Sequence, residues 1–520
     1  MKRFTISLFL LYAALWWGVA YSNACTSIIV SGKVTPDGRP YIFKNRDTGD
    51  LDNLAIQIQG SRYRFIGIVA AKDSLYKSVW SGHNEVGFAI ANTAAYNLNG
   101  KPQPGKPHPQ GDDGDGILMR KALETCRTLA DFEHLLDSIK ARGPIPSNSN
   151  FAVLDAEGGV AYYETGNNGY VKYDANDPLV APYGFIVRTN HGMSGERSLD
   201  QGVERYLAIS DYATRAAFAN DLGFENIIRG VTRYLKHGLT GIDLHDFEPK
   251  DDSQPVFVPF RDFIPRYLTA SAQLIQGVRK GEDAVLTTAW TIVGSPLTTV
   301  AIPLWITKDG KLPEVVTHQQ PGEQAPLVTE SFRLKRLLFP IERGNGHDYI
   351  NLARLVNQSG TGILQQIEPI ESEIFRRSKA VRQSSNPSRD IPEFYRWVER
   401  YVKEQYILLD STFLYLCSYI GIKHYEENNI LDGGTHGGCG IGSPGAGVAQ
   451  RRDGLCGDGL YPTVPTASGA DHCAGCDYYI CHFRLEGVRS HLWTHINLYA
   501  TDDFCRCNCG SVVVCDSSTR

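Results

Sequence analysis

The stretch CTSIIVSGKVTPDGRPYIFKNRD, residues 25–47, decides the fold at the start of the chain. Two runs of β-branched and aromatic residues flank the turn-forming sequence PDG at 36–38, which is the pattern of a β-hairpin. We expect one strand from Thr26 and a return strand from residue 40 or 41 to about residue 45. The sequence therefore predicts a sheet that begins with these two antiparallel strands.

The residues before this hairpin have the pattern of a secretory signal peptide. A basic start at 2–3 precedes an apolar run over 4–20, and the small-residue sequence SNA follows at 22–24. Cleavage after Ala24 makes Cys25 the first residue of the mature protein. Export then leads to a periplasmic or extracellular compartment.

Two other interpretations of the N-terminus remain open. The apolar run approaches the roughly 20 residues that a membrane span needs, although the small residues at 22–24 argue against an uncleaved anchor. A bacterial lipoprotein carries its lipid on the cysteine after the cut, but such sites usually have Leu or Val where Ser22 stands. The alternative function is then a lipid-anchored surface protein that binds a ligand without catalysis.

An N-terminal cysteine combines a nucleophile and a base in one residue. Its thiol and its α-amine have reference pKa values near 8.5 and about 7.7–8.0, so the amine is partly neutral at physiological pH. This is the thiol counterpart of the N-terminal threonine arrangement. With the turn centred near Asp37, Cys25 should pair opposite residue 48 or 49, which brings Lys44 and Asp47 beside the new N-terminus. A carboxylate there can orient the α-amine.

Charge and cysteine usage exclude several classes of protein. The 520-residue chain has a net charge of −5 at pH 7 and a pI near 6.3, so neither nucleic acid nor an anionic membrane surface is suggested as a partner. Apart from the N-terminal run, no long apolar stretch occurs, which predicts no membrane contact after signal cleavage. Only Cys126 lies between Cys25 and Cys417, so the main body is not a disulfide scaffold.

The order of the sequence patterns predicts an α+β protein. Short strand patterns fill residues 25–98, helical periodicity follows over 116–139, and strands return in NFAVLDAEG, VAYYETG and FIVRTNH. The loop before the helix contains Asp112, Asp113 and Asp115, which lack the spacing of a calcium loop; we favour Asp115 as a helix N-cap. A final amphipathic helix is predicted over 391–406.

The composition changes abruptly near Asn428. From residue 431 onward there is no lysine, one glutamate and nine of the twelve cysteines. Cys473 and Cys476 could belong to a zinc site, but the pairs do not recur at zinc-finger spacing, and a shifted reading frame explains the change better. We predict a signal peptide at 1–24, a catalytic domain at 25–410, a transition at 411–430, and a disordered Gly/Cys-rich tail at 431–520.

Several motifs in order resemble one family. CTSIIV…KNRD, GHNEVGFAIANTAAYN, NFAVLDAEGGVAYYETG and FIVRTNH together resemble the N-terminal nucleophile (Ntn) hydrolases of the choloylglycine hydrolase, penicillin V acylase and isopenicillin-N acyltransferase group. The later TASAQLIQGVRKGEDAVLTTAWTIVGSPLTTVAIPLW is similar to the acyltransferase-like branch. The resemblance covers about residues 25–410 and implies a four-layer αββα sandwich that hydrolyses linear amides through a thioester.

The resemblance also implies roles for individual residues. Cys25 matches the nucleophile, Asp47 the aspartate that orients it, and Asn190 the side-chain donor of the oxyanion hole. The second donor, a backbone N–H, falls at Ala94, with Asn92 two residues early.

Further candidates for substrate binding are Asn45, His191 and Lys44. Lys44 stands where the bile-salt and penicillin V branches have arginine, which puts bile-salt specificity in doubt. The expected substrate is a small-molecule N-acyl amide, with water or an amine as acceptor. No cofactor or metal is expected, and a homo-oligomer is left open.

Overall fold

The computed structural model of the chain describes residues 24–99, 114–318, 320 and 323–430, with side chains as far as Leu409, and two short strands near the C-terminus. The chain divides into a unit over 1–433 and a unit over 434–520. The predicted signal peptide before Ala24, the two aspartates before helix 114–125, and the cysteines of the tail lie outside the described residues. The predicted domain boundaries therefore stay a prediction.

The larger unit contains two large antiparallel sheets, a separate two-stranded sheet and the helices that cover the large sheets. Its strands are β1 Ala24–Val30, β2 Tyr41–Asp47, β3 Asn53–Gln59, β4 Arg64–Ala70, β5 Ser81–Asn84, β6 Ala89–Ala94, β7 Ser149–Leu154, β8 Val160–Gly166, β9 Gly169–Asp174, β10 Phe185–Arg188, β11 Phe257–Pro259, β12 Thr269–Gln276, β13 Thr288–Val293, β14 Ile302–Leu304 and β15 Tyr349–Asn351. Its helices are α1 Gly114–Thr125, α2 Leu129–Lys140, α3 Val203–Phe218, α4 Phe224–Asn226, α5 Pro326–Leu338, α6 Leu352–Leu355, α7 Ile363–Arg382 and α8 Pro387–Ile430. In the tail, β16 Phe504–Arg506 pairs antiparallel with β17 Val512–Val514.

The two sheets lie face to face and form the inner layers of the fold. One sheet has the strand order β10-β1-β2-β12-β13-β14, and the other runs from β3 to β9 in sequence order. Helices α1 and α2 cover the seven-stranded sheet, and α3 packs on β1 and β10 of the six-stranded sheet. The predicted α+β fold with four αββα layers is confirmed.

Alternation along the first hairpin explains this layering. Ile29 and Ile42 are fully buried in the core that includes the space between the sheets, whereas Ile28 and Phe43 are buried on the helix side. A strand whose two faces are both buried has apolar residues at consecutive positions, as IIV and YIF do here. The hairpin is therefore a central element of the sheet, enclosed on both sides.

The helical pattern over 116–139 was expected as one continuous run, and the structure breaks it. Thr128 accepts from the Asp131 backbone N–H and Asp131 accepts from the Thr128 backbone N–H, so a capping box starts α2. The N-cap prediction for Asp115 was also wrong, because α1 begins at Gly114 and Asp115 lies inside its first turn. Within the described residues, no helix is long and apolar enough to cross a membrane.

Candidate active site

Cys25 lies near the beginning of β1 and is 9% exposed. It pairs with Arg46, and Ala24 pairs with Asp47, so the expected partner at 48 or 49 was wrong. The connection between the strands contains two successive turns, closed by backbone bonds from Val34 to Ser31 and from Gly38 to Thr35. This arrangement moves the centre of the hairpin toward the N-terminus compared with a single turn at PDG.

Strand alternation determines which side chains share a face with Cys25. Ser27, on the same face as Cys25, meets the Tyr162 hydroxyl of the seven-stranded sheet at 2.7 Å. On β2, Lys44 donates from Nζ to Asn92 Oδ1 of that sheet at 2.7 Å. Arg46, two residues along, shares this face. Cys25, Lys44 and Arg46 therefore face the space between the two sheets.

Asn190 links the main chain of Cys25 to the second sheet. It follows β10, is 1% exposed, and its Oδ1 accepts from the Cys25 backbone N–H at 3.2 Å. Its Nδ2 donates to the Ala94 carbonyl at 3.0 Å. Because Oδ1 has only donors as neighbours and Nδ2 has an acceptor, the orientation of the amide is chemically determined. One Nδ2 hydrogen remains to serve an oxyanion.

Ala94 presents its backbone at the same corner. The Ala95 N–H donates to Asn148 within the β6–β7 ladder, so Ala94, one residue earlier, is in a non-hydrogen-bonded pair with Ser149. The N–H and C=O of Ala94 therefore both point away from β7, and β5 pairs only as far as Ala91. The Ala94 carbonyl bonds Asn190, and its N–H is not used by the sheet. This geometry fits a second oxyanion donor.

Arg205 is a site residue that the sequence reasoning missed. It lies in the first turn of α3, is 3% exposed, and donates from Nη2 to Asn190 Oδ1 at 2.8 Å. Its Nη1 donates to the Cys25 carbonyl at 2.6 Å and to Thr26 Oγ1 at 2.8 Å. A Cβ on Gly202, whose φ is +73°, would lie 2.3 Å from Arg205 Nη2. The sequence signal that could have identified Arg205 is Gly202, which stands three residues before it at the start of the helix.

Asp47 lies on the opposite face of β2 and is held by side chains distant in sequence. Its Oδ2 accepts from Arg266 Nη2 at 2.6 Å and from Nε at 3.0 Å, and its Oδ1 accepts from Thr269 at 2.6 Å. Among the described residues, its carboxylate makes no hydrogen bond to Cys25. Arg266, which the sequence reasoning also missed, is thus the main partner of this carboxylate.

Lys44 belongs to a polar chain between the sheets. Besides Asn92, its Nζ donates to the Trp80 carbonyl at 2.8 Å. Asn92 Nδ2 in turn donates to Asp115 Oδ2 at 2.9 Å and to Ser149 at 3.2 Å. Burial lowers the pKa of Lys44 to about 8, while the charges of Cys25 and Asp115 oppose that shift. Burial also raises the pKa of Asp115, against its hydrogen bonds. Lys44 can therefore change protonation near neutral pH.

Two other predicted site residues lie outside this cluster. Asn45 shares the Asp47 face, and its Nδ2 donates to the Thr232 carbonyl at 3.3 Å. His191 Nδ1 lies 2.9 Å from the Gln201 carbonyl, a contact that ties the loop after β10 to the segment before α3. In the part of the chain that the structure describes, neither side chain contacts Cys25, and no group of three metal-binding side chains occurs.

Residues 35–223 match the family model of acyl-coenzyme A:6-aminopenicillanic acid acyl-transferase, a segment that includes Asp47 and Asn190 and starts after Cys25. No curated protein sequence matches the chain.

The chain also matches solved structures at low sequence identity. Penicillin V acylase from Agrobacterium tumefaciens is 14% identical over 55% of this chain and 86% of its own, with a TM-score of 0.31. A mutant conjugated bile acid hydrolase from Clostridium perfringens is 13% identical over 54% and 92%, with a TM-score of 0.29. The Caenorhabditis elegans ortholog of N-acylethanolamine-hydrolyzing acid amidase is 17% identical over 36% and 79%, with a TM-score of 0.25. At these TM-scores the structural likeness supports no functional assignment by itself. The resemblance inferred from the motifs is confirmed by the family model: over residues 35–223 the chain is similar to the acyltransferase branch of the Ntn hydrolases.

Proposed function

We propose that the protein is an exported Ntn hydrolase that cleaves a linear amide through a thioester on Cys25, with water or an amine as the final acceptor. The observation that carries the proposal is the corner formed by Cys25, Asn190 and Ala94. Asn190 holds the Cys25 nitrogen through Oδ1 and has a free Nδ2 hydrogen beside the Ala94 N–H. A nucleophile, its base and two oxyanion donors then meet in one place.

The reaction requires the Ala24–Cys25 peptide bond to be cut first. In the structure Ala24 precedes Cys25 within β1, so the nitrogen that Asn190 holds is an amide there. Removal of the signal peptide turns this nitrogen into an amine without moving it from Asn190. We infer that the amine then remains hydrogen-bonded to Oδ1.

Chemistry proceeds in two halves. The α-amine of Cys25 takes the thiol proton, sulfur bonds to the acyl carbon, and the carbonyl electrons move to an oxyanion between Asn190 Nδ2 and the Ala94 N–H. The ammonium gives its proton to the leaving nitrogen as the carbon–nitrogen bond breaks. Water attacks the thioester with the amine as base, and the thiol is released; an amine acceptor gives acyl transfer.

Asp47 and Lys44 support these steps from two sides. Asp47 is buried and paired with Arg266, next to the strand position from which the α-amine projects, and its negative charge favours the ammonium form. Lys44 lies on the thiol side. A titrating lysine in place of arginine makes the positive charge at this position sensitive to pH.

Two measurements test the nucleophile. Intact mass and N-terminal sequencing of protein from its native compartment should show a chain that starts at Cys25 with a free amine. An electrophilic acyl probe should then label Cys25, and Cys25→Ala should abolish both labelling and amide hydrolysis while the melting temperature stays unchanged.

Cys126 provides the matched control. It is 2% exposed, and burial raises the pKa of its thiol to about 12, so it should stay unlabelled and Cys126→Ala should keep activity. A diacylglycerol adduct on Cys25, or labelling of Cys126 in its place, would contradict the proposal. The assay uses a panel of N-acyl amides that includes penicillin V, bile-salt conjugates and N-acyl amino acids.

A further inference from the structure

Buried arginines in this protein divide into two groups by their partners. Those that are less than 9% exposed are Arg46, Arg188, Arg205 and Arg233. Arg188 pairs with Glu164 at 2.7 Å, and Arg233 pairs with Glu371 at 2.8 Å. These two follow the general rule that buried charges are paired. Arg46 and Arg205 have no carboxylate oxygen within 4.0 Å among the described residues.

Both Nη atoms of Arg205 have neutral hydrogen-bond partners, whereas the guanidinium of Arg46 has few hydrogen-bond partners. The described contacts of Arg46 are one hydrogen bond, from Nη1 to Asn53 Oδ1 at 2.7 Å, and the face of Trp80, whose centroid lies 4.6 Å from Cζ. Ser271 also donates to the same Asn53 oxygen, at 3.1 Å. Asn53 is neutral and shared, so it does not balance the guanidinium charge. Most of the N–H donors of Arg46 make no hydrogen bond within the described residues.

The position of Arg46 relates it to the nucleophile. It pairs across the hairpin with Cys25, and directly opposed residues have Cβ atoms about 4.5–5.5 Å apart on the same face. Lys44 lies on this face too. A substrate whose acyl carbon reaches Cys25 therefore has its neighbouring atoms within reach of the guanidinium.

Electrostatics favour a negative ligand at this point. Burial lowers the pKa of Arg46 to about 10, and the negative charges of Cys25, Asp50 and Asp47 oppose the shift without removing it. A thiolate would balance the guanidinium only transiently, because the thioester that replaces it is neutral. A carboxylate on the leaving amine would balance the charge from substrate binding until that amine departs, which covers the acylation half of the reaction.

We propose that Arg46 binds a carboxylate of the substrate, so that the preferred substrates are N-acyl amino acids, with the carboxylate within a few bonds of the scissile amide. A guanidinium matches a carboxylate in two parallel hydrogen bonds, and these are stronger in a site of low dielectric constant. The proposal rests on the proposed function and adds the chemical class of its substrate.

The test compares two substrates that differ only in charge: an N-acylglycine and the N-acylglycinamide with the same acyl chain, at several chain lengths. Wild-type kcat/KM should favour the acid by roughly ten- to hundredfold, the range of a charge-assisted hydrogen bond. Arg46→Met should bring the ratio close to one, mainly through a higher KM for the acid. Arg46→Lys should keep part of the preference for the acid, because lysine keeps the positive charge but cannot donate two parallel hydrogen bonds as a guanidinium does.

Arg382→Met is the matched control. Arg382 also has no carboxylate oxygen within 4.0 Å among the described residues, and burial lowers its pKa to about 10, but it lies at the other end of the hairpin, where it donates to the Leu286 carbonyl and Thr288 Oγ1. Its loss removes the same charge away from Cys25, so the acid-to-amide ratio should not change. Arg46→Gln, which keeps a donor for Asn53, replaces Arg46→Met if the latter does not fold.

Two results would overturn the inference. One is a wild-type enzyme that turns over acid and amide equally. The other is an Arg46 variant that slows both substrates by the same factor, which would assign Arg46 to the thiolate. If neither substrate reacts, the proposed function fails separately. Calorimetric binding of the N-acylglycine to Cys25→Ala, with and without Arg46→Met, then still decides whether Arg46 forms an anion site.

Discussion

The two ends of the first hairpin differ in how their charged side chains are paired. At the turn end, Arg39 pairs with Glu282 and with Asp37, and Asp37 also accepts from Tyr41 and Gln276. Each of these side chains therefore has a polar or an oppositely charged partner within the fold. The charges of the hairpin itself are paired at this end, whereas Arg382 of α7, which lies beside them, donates only to neutral oxygens among the described residues.

At the Cys25 end, Arg266 pairs with Asp47, but three other cations contact neutral atoms. Lys44 binds an amide and a carbonyl oxygen, Arg46 binds Asn53, and Arg205 binds the Cys25 carbonyl, Thr26 Oγ1 and Asn190 Oδ1. Uncompensated buried charge reduces stability, so a fold that keeps it gains something other than stability. In the proposed reaction, a thiolate, an oxyanion and a substrate anion would supply the negative charges that this end lacks. The difference separates a structural end from a functional end of the same two strands.

The largest effect is expected at Asn190, where Asn190→Asp separates the two roles of the amide. An aspartate still accepts from Cys25 and Arg205 but no longer donates to an oxyanion or to the Ala94 carbonyl, and its charge repels the oxyanion as well. We expect kcat and kcat/KM to fall together by about 10²–10³, with little change in KM, because this donor acts only in the transition state. Steady-state kinetics on the best amide of the panel measure the change.

Asp37→Asn at the turn end is the control for that variant. It removes a charge from the paired network, so it should lower the melting temperature and leave kcat unchanged. A change in KM alone at Asn190 would make it a binding residue and contradict its oxyanion role.

A smaller effect is expected at Arg205, which we interpret as a positioning residue. Arg205→Met should lower kcat by roughly ten- to hundredfold, because hydrogen bonds from a charged group contribute about 1.5–3 kcal/mol. Its guanidinium also disfavours an ammonium at Cys25, so its loss should move the acid limb of the pH–rate profile to higher pH. Arg205→Lys should restore part of both. A uniform loss of activity without a shifted limb would indicate a structural role only.

Local patterns in the sequence predicted the fold well because strand and helix formation depends mainly on residues that are close together in the chain. Runs of β-branched and aromatic residues around PDG identified the hairpin, and the order of strand and helix patterns indicated an α+β protein. The four layers were implied by the family resemblance. The register failed by two to three residues because the segment 31–40 makes two turns, and PDG alone does not show the first. The break at Thr128 was visible as a capping box but was overlooked within a continuous apolar period.

The candidate site could be predicted only for those of its residues that lie within a motif. Cys25, Asp47 and Asn190 lie in short recognisable stretches. Arg266 reaches Asp47 from 219 residues away, and Arg205 reaches Cys25 from 180 residues away. Such contacts depend on which strands pair and on where a helix begins. Neither can be read from the sequence when the order of the strands in the sheet is unknown. Asp115 was misassigned for the same reason, since Asn92 and Ser149 meet it only after β6 and β7 pair.

The smallest effect on activity and the clearest effect on stability are expected at Lys335 in α5. Its side chain is 5% exposed, donates to the Tyr267 carbonyl, and lies 4.0 Å from the centroid of the Tyr267 ring. Burial lowers its pKa from 10.5 to about 7, and the charge of Asp47 opposes the shift. Lys335 is therefore another uncompensated cation near the Cys25 end.

The lowered pKa sets the direction of its pH dependence. Below pH 7 Lys335 is charged in both folded and unfolded chains, so the full penalty of burying the charge applies. Between about pH 7 and 10.5 the folded chain has lost this proton and the unfolded chain has not, so the penalty shrinks as pH rises. Lys335→Met should therefore raise the melting temperature most at pH 6 and much less near pH 10. Thermal unfolding at both pH values measures this difference, and Lys172→Met, at an exposed lysine paired with Glu133, should show neither gain. An equal gain at pH 6 and pH 10 would mean that the pKa of Lys335 is the same in the folded and the unfolded chain, so that burying its charge carries no penalty, and the excess of positive charge at the Cys25 end would then be smaller than the contacts indicate.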